Sequence, residues 1–356
     1  MRKSDFQKIK TLGRGGFGEA TLVRDKKERK VYVLKRVSID TKKSLKLAIG
    51  EAQLLRTLKH PNIIRYIDHF IEFEGGGTIN MYLVMEYAKC GDLRTFIRSR
   101  QAPLNERVVL ILLMQMAVSI SHCHRRNIMH RDLKPENIFI SSAGILKLGD
   151  FGLAREISEE SMMARTRCGT ADYIAPEVIQ EKPYSFSCDM WSLGCITYEL
   201  LMLKHPFRDR TALATVQRVV RGRPRFRLII KNKDLGLIVN QLLQCNVRTS
   251  PFPSSLSLLV NSNLRPQPEN RMSSDVLLNQ PMITRCIRAF VKRYGEFPPS
   301  RPNDAHETNV EKKYVKEKEK IKSIDTSTSR TISLIPHVGS PEKFQKRRKK
   351  RRAAWR

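Results

Sequence analysis

Acidic residues are scarce in this sequence: 35 Asp and Glu stand against 66 Lys and Arg, a formal net charge of +31 over 356 residues. A chain so short of anions favours acidic partners, whether nucleic acid, acidic protein segments or anionic surfaces, without choosing among them. Long apolar runs are missing too. The two longest, Val108–Ile120 and Trp191–Leu203, hold about thirteen residues each. They are too short to span a bilayer and are expected as buried core helices, with no membrane insertion. No C-x-x-C pair occurs among the seven cysteines, so the expectation is reduced thiols of the cytoplasm or nucleus, neither a zinc site nor a disulfide framework. The N-terminal MRKSDFQKIK offers no apolar stretch for a secretory leader, and no internal repeat is visible. What the chain does have is core material, 40% hydrophobic residues, which excludes disorder throughout. The last stretch, 296–356, carries 17 Lys and Arg against 8 Asp and Glu, so +22 of the total belongs to residues 1–295. The folded part is itself basic.

The first 90 residues read mainly as strands. FQKIKTLGRGGFGEATLVRD and KVYVLKRVSI alternate apolar and polar residues around the turn-like DKKERK. SLKLAIGEAQLLRTL has helical spacing, and NIIRYIDHFIEF and NMYLVMEYA are strand-like again. From Leu93 to about Tyr294 the pattern is predominantly helical. The expected class is α+β: a small β-rich lobe at 6–88, a larger helical lobe at 89–290, and a basic, mostly disordered tail at 296–356.

GRGGFGEA places glycines at 13, 15 and 18. A dinucleotide fold uses the same spacing but opens a helix with it, whereas here a second strand follows. The result is a glycine-rich hairpin whose backbone N–H groups can approach phosphates with no Cβ in the way. HRDLKPEN (130–137) and DFG (150–152) then follow in order, Asp150 thirteen positions after Asn137. Phosphoryl transfer needs a carboxylate to accept the proton of the attacking hydroxyl, which suits Asp132. It needs oxygen ligands for a hard divalent cation, which suits Asn137 and Asp150, and cations facing the migrating phosphoryl, which suits Lys35 and Lys134.

With these motifs in place, the stretch Phe6–Phe290 resembles a eukaryotic protein kinase domain. The resemblance implies the two-lobed kinase fold, ATP and Mg²⁺, and protein substrates. It makes Lys35 the ATP anchor, Glu51 its partner on the small-lobe helix, and Met85 the gatekeeper. Glu86–Ala88 becomes the hinge reading adenine. Leu12, Gly13, Gly15, Gly18 and Ala20 line the nucleotide, Ala20 standing where Val usually covers adenine. Lys134 in DLKPEN and Thr170 in GTADY fit the serine/threonine class. LKHPNIIRYIDHFIE, MHRDLKPENIF and KLGDFGLAR, with Gly149 before the DFG, resemble the NIMA-related family. That family implies roles around mitosis, microtubules or cilia, and Thr166 as an activation-loop phosphosite pairing with Arg131. Two other readings stay open: a pseudokinase scaffold, and a nucleic-acid- or cytoskeleton-binding protein using the kinase fold.

Two segments fall outside that frame. Residues 247–267, rich in Ser, Pro and Asn, interrupt an otherwise continuous pattern: without them the text reads LLQCN-PENRMSSDVLL, with Arg271 placed to meet Glu177 of the A-P-E motif. The piece is 21 residues, 63 nucleotides in frame, and Val and Gln codons at its ends are compatible with GT and AG. It is expected to be a retained intron or else a surface loop, projecting from the large lobe with its ends close together. The tail's KRRKKRR (346–352), preceded by Ser340-Pro341, fits a nuclear import receptor, nucleic acid or acidic protein tails.

Overall fold

The computed structural model describes residues 1–15, 18–74, 78–151, 170–244 and 267–294. Met1–Ser300 form one compact unit; the second unit, Arg301–Arg356, lies outside the described residues, as does KRRKKRR with it.

The N-terminal lobe is an antiparallel sheet of β1 (Phe6–Gly15), β2 (Gly18–Asp25), β3 (Val31–Ile39), β4 (Tyr66–Glu74) and β5 (Thr78–Glu86), in the order β1-β2-β3-β5-β4. Period-2 alternation gives it two apolar faces. On β5, Tyr82 and Val84 join Phe6, Val23, Leu34 and Phe70 on the outer face, whereas Met81 and Leu83 join Ala48, Ala52 and Leu55 of α1 (Lys42–Thr57). Thr41 caps α1, its hydroxyl accepting from the Ser44 N–H at 3.1 Å while Ser44 Oγ accepts the Thr41 N–H at 3.0 Å. DKKERK is the expected turn, closed by Asp25 Oδ1 accepting the Lys27 and Glu28 N–H groups at 2.8 Å.

The C-terminal lobe contains α2 (Leu93–Arg98), α3 (Glu106–His124), the hairpin β6 (Ile138–Ile140) and β7 (Leu146–Leu148), α4 (Pro176–Ile179), α5 (Ser187–Met202), α6 (Ala212–Arg221), α7 (Lys233–Leu243), α8 (Ser274–Leu278) and α9 (Pro281–Tyr294). Helix α5 is the axis of the lobe. Trp191, Leu193, Ile196, Tyr198 and Leu200 are all fully buried, as expected of a helix apolar all round. Gly194 lets α7 come close: a Cβ there would lie 2.8 Å from Leu243 Cδ2. Helix α3 is long and apolar enough to cross a membrane, but most of its apolar window is buried inside the lobe, so it is the core helix that its run predicted.

The structure departs from the sequence reading in two places. β4 starts at Tyr66, not Asn62, because Asn62 is a buried anchor, its amide donating to Gln115 Oε1 at 3.0 Å and Leu146 O at 2.9 Å. The β6–β7 hairpin went unread because three residues per strand are too few for alternation to show.

Candidate active site

The sheet delivers the first cation. Lys35 lies on β3 opposite Ala20 of β2 and Leu83 of β5, so strand register fixes where its side chain starts. Its ammonium sits 2.9 Å from Glu51 Oε1 on α1 and 2.9 Å from Asp150 Oδ1 just after β7. Burial works to lower the lysine pKa, but the two carboxylates outweigh it and hold the group above its ordinary value. For Asp150, burial works upward, and the Lys35 charge overrides it to hold the carboxyl below its ordinary value. Both stay ionised at neutral pH.

The second group sits on the loop between α3 and β6. Asp132, only 9% exposed, accepts on Oδ2 from Lys134 Nζ and Asn137 Nδ2, each at 2.9 Å. Asn137 Nδ2 also donates to the Asp132 carbonyl at 2.8 Å. With the amide nitrogen so used, Oδ1 is the Asn137 atom left to act as a ligand. Asp189, at the start of α5, pins the loop: it accepts the backbone N–H groups of His130 and Arg131 and a bond from His124 Nε2, all at 2.9 Å. Burial would raise the Asp189 carboxyl, and these bonds, His124 foremost, hold it low. His130 Nε2 donates to Gly149 O at 2.9 Å, joining this loop to the one bearing Asp150. Gly149 has no room for more, since a Cβ would lie 2.8 Å from the Phe139 ring. Arg131 and Asp150 both hold positive φ, +65° and +58°, strain of the kind that collects at functional sites.

Most of the expected nucleotide positions lie on the sheet itself. Gly15 pairs with Gly18 across the β1–β2 hairpin, and a bulge falls at Leu12, which is 42% exposed. Gly18 is obligatory: at φ +126°, a Cβ would stand 1.7 Å from Arg36 O. Met85 and Glu86 end β5 and Ala88 is buried. The Glu86 carboxylate is occupied from behind, accepting Lys147 Nζ at 2.9 Å and the Arg65 N–H at 2.6 Å.

The donors fit a small divalent cation. Asp150 supplies an ionised carboxylate and Asn137 a free amide oxygen, the one- or two-ligand arrangement by which Mg²⁺ is held together with phosphate oxygens. Among the described residues no cluster of three or more His, Cys, Asp or Glu forms a self-sufficient metal cage.

Lys35, Glu51, Asp150, Asp132, Lys134 and Asn137 are thus brought together as expected. Thr170 opens the turn Thr170–Tyr173; Thr166 and Gly152 lie outside the described residues. Arg131 packs its guanidinium 5.7 Å from the Tyr184 ring centroid, and its buried Nε has no hydrogen-bond partner among the described residues. Arg271 reaches Glu177 at 2.7 Å, as the junction reading required. Residues 247–266 lie outside the described residues, yet their flanks meet: Gln244 Nε2 donates to Asn270 O at 2.5 Å.

Sequence reading missed Arg94. This buried residue on α2 donates to Glu136 at 2.8 Å, beside Lys134 and Asn137, to Glu199 on α5 at 2.7 Å, and to the Tyr173 hydroxyl, which in turn donates to Glu199. It ties the loop bearing Asp132 and Asn137 to the turn that Thr170 opens. A lone Arg after G-D-L carries no local signal.

Residues 6–283 match the protein kinase domain family. Among similar proteins, serine/threonine-protein kinase Nek4 of Mus musculus is 32% identical over 82% of this chain and 34% of its own length. Nek5 of Mus musculus is 37% identical over 71% of this chain and 39% of its own. Nek2 of Homo sapiens is 34% identical over 73% and 60%. The chain spans between a third and three-fifths of these relatives.

Proposed function

The chain belongs to the protein kinase domain family, with NIMA-related relatives, and from that premise we propose that it transfers the γ-phosphoryl group of ATP to Ser or Thr hydroxyls of proteins. The observation that carries the reading is Lys35, held at 2.9 Å by both Glu51 and Asp150 across 16 and 115 residues of sequence. A cation fixed between those carboxylates is placed to take phosphate oxygens. The glycine-rich hairpin closes over the phosphates, and the Glu86–Ala88 backbone reads the adenine edge.

Asp132, steadied by Asn137 and Lys134, accepts the proton as the acceptor oxygen bonds to the γ-phosphorus and the bond to ADP breaks. The Lys134 ammonium faces the charge on the transferring group. Asn137 Oδ1 and Asp150 would hold Mg²⁺, which supplies positive charge to the phosphates when bound. Phosphorylation of Thr166 raises activity in this reading, supported by the buried Arg131 Nε, without a partner among the described residues, that a phosphate can satisfy. Cytoplasmic or nuclear residence, and an acidic partner for the tail, belong to the same proposal.

The test compares the purified chain with Asp132→Asn on a generic basic protein, with ATP and Mg²⁺. Wild type is expected to incorporate phosphate, and the variant to lose about 10²–10⁴ of the rate while still binding ATP. Equal inertness of the two would leave the scaffold reading in its place.

A further inference from the structure

Between Lys204 and Lys233 the chain carries ten Lys or Arg and a single acid, Asp209. The structure gathers this segment onto one surface. The Arg225 N–H donates to Pro206 O at 2.6 Å, and Lys204 Nζ lies 4.7 Å from the Phe226 ring centroid, so residues 204–210 stand beside 223–227. From the last residue of α6 onward the chain alternates: Arg221, Arg223, Arg225 and Arg227 face out, whereas Gly222, Leu228 and Ile230 are buried and Pro224 and Phe226 half-buried. Ile229, 69% exposed, and then Lys231 and Lys233 continue the outward series. Asp209 is held by Arg218 at 2.5 Å and Arg225 at 3.5 Å, and Asp172 is held by Arg208. Glu106 accepts the Lys231 and Asn232 N–H groups at 2.7 and 2.9 Å, and the exposed Asp234 directly follows Lys233. Arg221, Arg223, Lys231 and Lys233 form no ion pair among the described residues.

We propose that this surface docks an acidic polypeptide segment of the protein substrate. Every second residue outward is the side-chain period of an extended peptide, and guanidinium groups grip carboxylates in a bidentate fork. Ile229, within the outward run, offers an apolar point that a peptide's side chains use and a phosphodiester backbone does not. The one aromatic between Arg221 and Lys233, the half-buried Phe226, is capped by Lys204 and by Arg225 at 5.4 Å, so it gives bases no stacking platform. The surface also adjoins the turn that Thr170 opens, since Arg208 is bonded to Asp172 within it, and Arg94 links Tyr173 of the same turn to Glu136 beside Asn137. An acidic stretch bound here reaches the acceptor residue along the same chain.

The proposal rests on the kinase reading, so the test separates the two. The full chain and its Arg221→Glu/Arg223→Glu variant are assayed on a Ser-containing peptide with and without a Glu-rich extension. In parallel, fluorescence anisotropy follows a labelled Glu-rich peptide that has no acceptor hydroxyl. The basic tail is present in both proteins and cancels in the comparison. The extension is expected to lower KM about tenfold at low salt, an advantage lost at high salt and in the variant. The kcat and KM for the plain peptide stay unchanged, which also shows the variant folded; Arg221→Gln/Arg223→Gln serves if it is not. Equal KM with and without the extension, or an advantage that survives in both variants, overturns the proposal. So does tighter binding of a charge-matched DNA duplex that the same substitutions abolish. If neither peptide is phosphorylated while the labelled peptide binds and the variant releases it, the kinase reading fails and the surface stands.

Discussion

At the scale of single residues, the site's logic is charge held in place. Lys35→Met removes the cation from between two carboxylates and is expected to lower phosphate transfer by about 10²–10³; a variant with near wild-type kcat/KM would show that another group anchors the phosphates. His60 gives a pH prediction. Burial, foremost, and the facing His122, Arg126 and Lys147 push its pKa down to about 3 from 6.5. A neutral folded histidine takes up fewer protons than the unfolded chain below pH 6.5, so its contribution is intact above that pH and lost as pH falls toward 3. Denaturant midpoints are expected to drop between pH 6.5 and pH 4, and less steeply in His60→Gln; identical slopes would remove His60 from the account. These residues were legible to different degrees. Lys35, Asp132, Asn137 and Asp150 announce themselves because each sits in a short motif of fixed spacing. Arg94 does not, because its partners Glu136, Tyr173 and Glu199 lie 42, 79 and 105 residues away and no local pattern records them.

Among the elements, the junction around residues 247–267 is the most testable. Its flanks are joined by Gln244 to Asn270, by the Met272 N–H to Gln241 O at 3.4 Å, and by Arg271 to Glu177. Deleting the 21 residues therefore leaves the flanking elements where they are. It is expected to raise stability by up to about 3 kcal/mol through the shorter closed loop, with kcat/KM unchanged. A loss of stability in urea melts would mean that the segment packs on the lobe. Uniform presence of its 63 nucleotides in mature message would exclude a retained intron. The clasp itself is expected to be costly to break: Arg271 is fully buried, and Arg271→Met strands the Glu177 charge at about 3–5 kcal/mol, read from thermal or urea unfolding. Elements with long periodic signatures, β1–β5, α1, α3 and α5, were visible in the sequence. β6 and β7 were not, because their pairing is set by the loops they connect and not by their own three residues.

Across the whole molecule, the order of a strand-rich segment followed by a helical one was enough to infer two lobes, and the active site needed both. Lys35 and Glu51 come from the first, Asp132, Asn137 and Asp150 from the second. The net charge of +31 said that anions matter without saying where; the surface beyond α6 could be located only once the backbone had folded 204–210 against 223–227. The bridge from Lys35 to Asp150 has one more consequence, best put as an exchange equilibrium. On the kinase reading, a phosphate that takes the lysine over from Asp150 leaves that carboxylate bare in a half-buried site. Nucleotide without a divalent ion then meets two like charges with nothing to separate them, and its association is self-limiting. Nucleotide bringing the ion supplies the displaced carboxylate with a new counter-charge in the same step. On that reading the resting ion pair would favour the metal complex over the naked nucleotide.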